Sequence, residues 1–79
     1  MILTIWRHGR AEAGADDRRR KLTDFGREEV MIGSERFGEA CSARGIPHPD
    51  LILHSPLVRT RQTARIIGVT LTHATVMAV

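Results

Sequence analysis

Arg7, His8 and Gly9 follow directly behind an apolar run at the start of the chain. A guanidinium grips phosphate or carboxylate through two parallel hydrogen bonds. A neutral imidazole is a competent nucleophile at pH 7, and a neighbouring cation disfavours its protonated form. Glycine lets the backbone come close to a ligand. This group of residues could hold an anion and attack it, although a surface histidine in a turn explains the same pattern.

Two further segments carry candidate anion ligands. In HSPLVRTRQTA, residues 54–64, Arg59 falls in the first turn of a predicted helix, where unpaired backbone N–H groups and the helix dipole attract an anion. Ser55 is expected to cap that helix rather than to bind a ligand. In RRRKLTDFG, residues 18–26, an arginine could add a third ligand because the segment ends a loop that starts at His8. A solvated basic loop is the simpler interpretation of that segment.

The apolar and polar patterning predicts how these residues are positioned. Four elements are predicted in the order strand, helix, strand, helix: residues 2–6, 24–44, 51–53, and a helix capped by Ser55 with Pro56 at its first position. This order is typical of a parallel α/β sheet, with the strand at residues 2–6 covered on both faces and that at residues 51–53 also buried. Ligands bind such sheets outside the carboxyl ends of the strands. The residues after each strand should therefore share one edge.

Composition and charge limit the class of protein. The chain has 79 residues, of which 42% are apolar and 27% charged, as expected for one small globular domain. The apolar runs are shorter than the ~20 residues that span a bilayer, and MILTIW is too short for a secretory signal, so we expect a cytoplasmic protein without a membrane partner. The single cysteine, Cys41, fits a reducing compartment. All but one of the 12 basic residues are arginine, which suits anionic partners but also follows from genome composition.

Three motifs, in this order, resemble the histidine phosphatase superfamily, also called the phosphoglycerate mutase-like family. They are Arg-His-Gly-x-Ala-Glu, Leu-Thr-x-x-Gly-Arg and Ser-Pro-x-x-Arg-x-x-Gln-Thr-Ala, which together cover nearly all of residues 1–67. The short gap between the first two motifs is most similar to the small bacterial SixA-type phosphohistidine phosphatase branch. The resemblance implies a three-layer α/β fold with a parallel sheet, of which this chain would form the N-terminal portion, β-α-β-α.

The resemblance also implies roles for individual residues. His8 would become transiently phosphorylated, Arg7 and Arg59 would hold the phosphate, and Arg20 would join them. The substrate of that branch is a phosphohistidine on a protein, and neither a metal nor an organic cofactor is implied. The proton-donating glutamate of other branches has no counterpart, since all nine carboxylates precede residue 51. A phosphoramidate leaves more readily than an ester, which favours phosphohistidine, and Glu12 is either a local acid or a loop carboxylate that balances the arginines.

The end of the chain departs from the family pattern, which includes a second histidine late in the sequence. Residues 68–79 do not resemble the family, and His73 is the candidate for that second histidine. We therefore expect a single partial domain over residues 1–79, either the N-terminal half of a longer protein or a shortened variant. Its unpaired sheet edges would be completed by further chain or by assembly into a homo-oligomer.

Two other functions stay open at this point. A catalytically inactive module that binds phosphate or a phosphoprotein would keep the arginines without the completing histidine. A nucleic-acid binder would use the basic run at residues 18–21, but two Phe, one Trp and no Tyr leave few rings for base stacking. The leading prediction is a phosphohistidine phosphatase whose partner is phosphate or a phosphorylated protein, and not nucleic acid.

Overall fold

The computed structural model describes residues 2–71 and 74–79. A 3-10 turn at Asp17–Arg19 precedes four elements: α1 (Asp24–Ala43), β1 (Leu51–His54), α2 (Val58–Leu71) and β2 (Thr75–Ala78). The two strands pair in parallel, with Leu51 opposite Thr75 and His54 opposite Ala78. A parallel pair needs a crossover connection, which α2 supplies. The predicted parallel α/β architecture is therefore confirmed.

Helix α1 agrees with the prediction to within one residue at its end. The hydroxyl of Thr23 accepts the backbone N–H of Gly26 at 2.9 Å, so that it satisfies a donor that the helix itself leaves unpaired. Arg44 is the C-cap, and Gly45 has a φ of 66°. Only glycine takes this left-handed conformation without steric cost, and the helix ends there.

Strand β1 forms where it was predicted and extends to His54. It is not buried on both faces, since Leu51 and Leu53 are exposed while Ile52 and His54 are half-buried. Helix α2 contacts both strands, and Ile52 packs against the core that includes this helix. In the part of the chain that the structure describes, only one face of the sheet is covered.

Helix α2 begins at Val58, so the prediction that Pro56 takes its first position was wrong. The hydroxyl of Thr60 donates to the carbonyl oxygens of Ser55 and Leu57, each at 2.9 Å. Because that proton is used, the Ser55 hydroxyl is the donor in its 2.8 Å bond to Thr60. These side-chain bonds hold residues 55–57 in a non-helical turn. Ser55 therefore does not cap α2, but stabilises the turn before it through hydrogen bonds with Thr60.

Residues 2–6 form no strand, contrary to the prediction. The chain is irregular there, and Leu3 and Ile5 are 81% and 90% exposed. A strand requires a hydrogen-bonded neighbour, and β1 pairs instead with β2, in the segment for which no element was predicted. An apolar run indicates the propensity for a strand but not which partner is present.

The core lies between the helices. Val30 of α1 and Ile67 and Leu71 of α2 form a buried cluster, against which Trp6 and Phe37 pack. The two rings meet edge to face, with centroids 5.3 Å apart. Trp6 thereby fixes the end of the irregular opening segment just before the candidate site residues. Over residues 2–71 and 74–79, neither helix combines the length and the apolar character that crossing a membrane would demand.

Candidate functional site

The His8 side chain is held by the neighbouring backbone. Its Nδ1 atom lies 2.7 Å from the carbonyl oxygen of Gly9. Because a carbonyl oxygen can only accept, Nδ1 must carry the ring proton of the neutral imidazole. The lone pair is then on Nε2, so this nitrogen is the one able to attack an electrophile.

Gly9 fits a tight space between the two helices. A Cβ at this position would lie 2.7 Å from Cγ2 of Val30 and 2.9 Å from the carbonyl oxygen of Gly26, both in α1. The N–H of Gly9 donates to the hydroxyl of Thr63 in α2 at 3.1 Å. That hydroxyl donates in turn to the carbonyl of Arg59. The lack of a side chain at Gly9 thus allows the backbone to pack closely against α1. The sequence had instead suggested that it allows a ligand to approach.

Arg59, the second residue of α2, is a buried cation with an exposed partner. Its side chain is only 10% exposed. Its Nη1 donates to the carbonyl oxygen of Asp17 at 2.7 Å, and its Nη2 to the Asp17 carboxylate at 3.3 Å. Within the described ranges, no acceptor reaches its buried Nε. A buried donor left without an acceptor costs about 1–3 kcal/mol, so an additional oxygen at Nε would be favourable.

Arg20 binds the same carboxylate from the other side. Its Nη2 donates to the second carboxylate oxygen of Asp17 at 2.6 Å. Asp17 therefore bridges two guanidiniums. The hydrogen bond from Arg20 has the larger effect and that from Arg59 the next, and both hold the pKa of Asp17 below its usual value. The pair Arg20 and Arg59 thus already binds an oxyanion in this structure.

The loop between Gly9 and α1 is ordered by contacts along its length. Ala11 and Leu22 form an isolated antiparallel bridge, and the N–H of Glu12 donates to the carbonyl of Lys21 at 2.7 Å. The N–H of Leu22 donates to the side-chain oxygen of Gln62 in α2 at 2.8 Å. These bonds keep the basic segment close to the start of α2, where Arg59 lies.

A cleft of roughly 160 Å³ lies beside His8. This volume is several times the ~30 Å³ that one water molecule occupies in the liquid. Its apolar lining includes Trp6 and Ile67. Its polar lining consists of His8, His54, Ser55, Thr60 and Thr63.

The predicted ligands are only partly brought together. Arg20 and Arg59 meet at Asp17, but neither they nor Arg7 line the cleft beside His8. Arg7 is exposed. A single pocket that holds His8 with all three arginines stays a prediction.

The remaining sequence candidates are placed as follows. Glu12 is exposed in the loop, and its carboxylate does not line the cleft. Ser55 lines the same cleft as His8, whereas the sequence had suggested only a helix-capping role for it. His73 lies outside the described residues. No group of three or more His, Cys, Asp or Glu side chains in the described part of the chain is arranged to hold a metal ion.

Sequence reasoning missed two residues of this region. Asp17 stands three positions before Arg20, a spacing at which opposite charges pair, and this could have signalled the bridge. His54 directly follows the predicted strand at residues 51–53, and ligands bind outside the carboxyl ends of strands in parallel sheets.

A family model described as the histidine phosphatase superfamily (branch 1) matches residues 3–77. The chain belongs to the histidine phosphatase superfamily. The match continues through residues 68–77 and so includes β2. No curated protein matches the chain.

Two solved structures are similar to this histidine phosphatase family member. One, from Agrobacterium tumefaciens, is assigned as the phosphohistidine phosphatase SixA, with 25% identity, a TM-score of 0.75, and coverage of 91% of this chain and 46% of its own. The other, from Nakamurella multipartitia, carries the same assignment, with 26% identity, a TM-score of 0.66, and coverage of 91% and 37%. The chain spans less than half the length of either. Its fold is the N-terminal part of the phosphoglycerate mutase-like fold, as predicted.

Proposed function

We propose that this chain is a phosphohistidine phosphatase-like hydrolase that takes the phosphoryl group from a phosphohistidine on a protein through phosphorylated His8. The observation that carries the proposal is the bond from Nδ1 of His8 to the Gly9 carbonyl, which leaves Nε2 as the nucleophilic nitrogen beside a cleft. Membership of the family and the likeness to two structures assigned as phosphohistidine phosphatases support the substrate class.

The first step follows from the protonation of the ring. Nε2 of His8 attacks phosphorus, the P–N bond to the donor imidazole breaks, and its electron pair returns to the donor nitrogen. Because Nδ1–H stays bonded to the Gly9 carbonyl, the product on His8 is a phosphoimidazolium. A cationic ring is a better leaving group than a neutral one, so this hydrogen bond favours the hydrolysis that follows.

The arginines supply the charge that a phosphoryl group needs. Arg20 and Arg59 bind the Asp17 carboxylate, and phosphoryl oxygens compete for the same donors. The unpaired Nε of Arg59 offers one donor more than the carboxylate uses. Exposed Arg7, next to the nucleophile, is proposed as the third ligand.

A second candidate function is a module that binds phosphate or a phosphoprotein without turnover. The observation that favours it is the Asp17 bridge, since the two arginines bind an oxyanion there and, in the part of the chain that the structure describes, neither hydrogen-bonds to His8. In that case His8 would be dispensable for binding.

Phosphate release from a phosphohistidine peptide tests the proposal. The unsubstituted chain and His48→Ala should release phosphate, whereas His8→Ala should lose activity by on the order of 10³-fold or more. His48 is the matched control because its imidazole bonds to the carbonyl of Gly38 in α1 and does not line the cleft. Equal release by His8→Ala would contradict the proposal, and binding without release by all three proteins would support the module.

A further inference from the structure

A second imidazole lines the cleft beside His8. His54 is the last residue of β1, and it shares a face of the strand with Ile52, which packs against the core. Its Nδ1 lies 2.7 Å from the carbonyl oxygen of Ser55. As at His8, the carbonyl can only accept, so Nδ1 carries the proton and the lone pair is on Nε2. Both imidazoles of the cleft therefore have the same tautomer.

The other polar groups of the cleft are already committed as donors. The hydroxyl of Thr60 donates to two carbonyls, that of Ser55 donates to Thr60, and that of Thr63 donates to the carbonyl of Arg59. No carboxylate is among the described residues that line the cleft. Once Nε2 of His8 carries a phosphoryl group, Nε2 of His54 is the one remaining nitrogen base in that lining.

We propose that His54 is the general base of the second step and accepts a proton from the water that hydrolyses phosphorylated His8. This inference rests on the proposed function. The water oxygen bonds to phosphorus, the P–N bond breaks, and its electron pair returns to Nε2 of His8. One water proton passes to Nε2 of His54, and hydrogenphosphate leaves with the other. The neutral His8 is restored, and His54 later loses its proton to solvent.

The cleft has the space and the surroundings for this step. Its volume of roughly 160 Å³ admits a phosphoryl group together with a water molecule. The indole of Trp6 and the side chain of Ile67 line it, so that part of the water shell around the imidazoles is replaced by apolar surface. A positioned base of this kind typically contributes 10²–10⁴-fold to a rate.

The test separates formation of the phosphorylated protein from its breakdown. The chain is phosphorylated with phosphoramidate, the donor is removed, and loss of label from His8 is followed by mass spectrometry. We expect His54→Gln to form the phosphorylated protein at a rate within about 3-fold of the unsubstituted chain, but to hydrolyse it about 10²–10⁴-fold more slowly. Glutamine can still donate to the Ser55 carbonyl, yet it has no basic nitrogen. His48→Ala is the control and should change neither rate.

Each outcome decides the question. Hydrolysis by His54→Gln at the rate of the unsubstituted chain would overturn the role of His54 while leaving phosphorylation of His8 intact. An equal slowing of formation and breakdown, with a changed circular dichroism spectrum, would make His54 a structural residue and overturn the inference as well. No phosphorylation of His8 in the unsubstituted chain would overturn the proposed function, and this inference with it.

Discussion

Asp17 occupies two of the arginines that the proposed function assigns to phosphate. Its side chain is 64% exposed, whereas those of Arg20 and Arg59 are 30% and 10% exposed. The pair with Arg20 is open to solvent and contributes little to stability, so a phosphoryl group can replace the carboxylate there at a small cost in free energy. Under the proposed function, Asp17 competes with the substrate for these two arginines.

Removing the charge of Asp17 should expose that competition. We expect Asp17→Asn to bind inorganic phosphate several-fold more tightly than the unsubstituted chain, because Arg20 and Arg59 lose their internal anion while the side chain keeps its shape. Isothermal titration calorimetry measures the difference. The control is Asp16→Asn, which removes the same charge from a residue whose ion pair is with exposed Arg19 at 3.5 Å. The Asp16 carboxylate also accepts the backbone N–H of Arg18 at 3.2 Å, and the side-chain oxygen of asparagine can keep that bond. An equal gain in both variants would show a general charge effect and contradict the competition.

At the scale of elements, the sequence predicted those features that depend only on residues close together in the chain. The Thr23 cap and Gly45 bound α1 as expected, since caps and left-handed glycines act within one turn of chain. The strand at residues 2–6 failed because pairing depends on a distant neighbour. The same holds for the candidate site, because the place of Arg59 at the start of α2 was predictable from the local sequence. The bridge through Asp17 depends on how a loop packs, which no local pattern specifies.

Gly26, the glycine of the Leu-Thr-x-x-Gly-Arg motif, lies where α1 packs closely on the backbone of Arg10. A Cβ there would overlap the carbonyl oxygen of Arg10 and lie 3.0 Å from its backbone nitrogen. We expect Gly26→Ala to lower the free energy of unfolding by about 1–3 kcal/mol, because backbone atoms must shift to admit the methyl group. Urea denaturation measures the loss.

The matched control for Gly26 is Gly14→Ala. Its added Cβ would meet nothing closer than Cγ of Arg20, at 3.4 Å, which is ordinary contact. The control should unfold within about 0.5 kcal/mol of the unsubstituted chain. Equal loss in the two variants would mean that α1 does not pack tightly on the backbone after His8.

At the scale of the whole molecule, a small core supports a sheet of which one face is left uncovered by the residues that the structure describes. Leu51, Leu53 and Met77 are each about half exposed, while α2 contacts both strands. A chain of 79 residues buries about 60% of the surface that it exposes when unfolded, so its stability margin is narrow. Homo-oligomerisation stays a prediction, and the molar mass in solution tests it against the 8.8 kDa of one chain.

The lowered pKa of Asp17 predicts how the stability of the folded chain responds to acid. The pKa of Asp17 is lowered in the folded chain below its ordinary value of 3.8, so its ion pairs stabilise the fold above about pH 4. That contribution is lost as the pH falls and Asp17 becomes protonated. Between about pH 5 and about pH 3, the free energy of unfolding should therefore fall further for the unsubstituted chain than for Asp17→Asn. Urea denaturation at both values measures this, and parallel losses would contradict the assignment.

The most direct test of the account asks which atom receives the phosphoryl group. The chain is treated briefly with phosphoramidate without exposure to acid, and ³¹P and ¹⁵N NMR then identify the phosphorylated nitrogen. The hydrogen bond from Nδ1 of His8 to the Gly9 carbonyl predicts a single phosphoryl group on Nε2 of His8. A phosphoryl group on Nδ1 of His8, on another histidine, or on no residue would contradict the account.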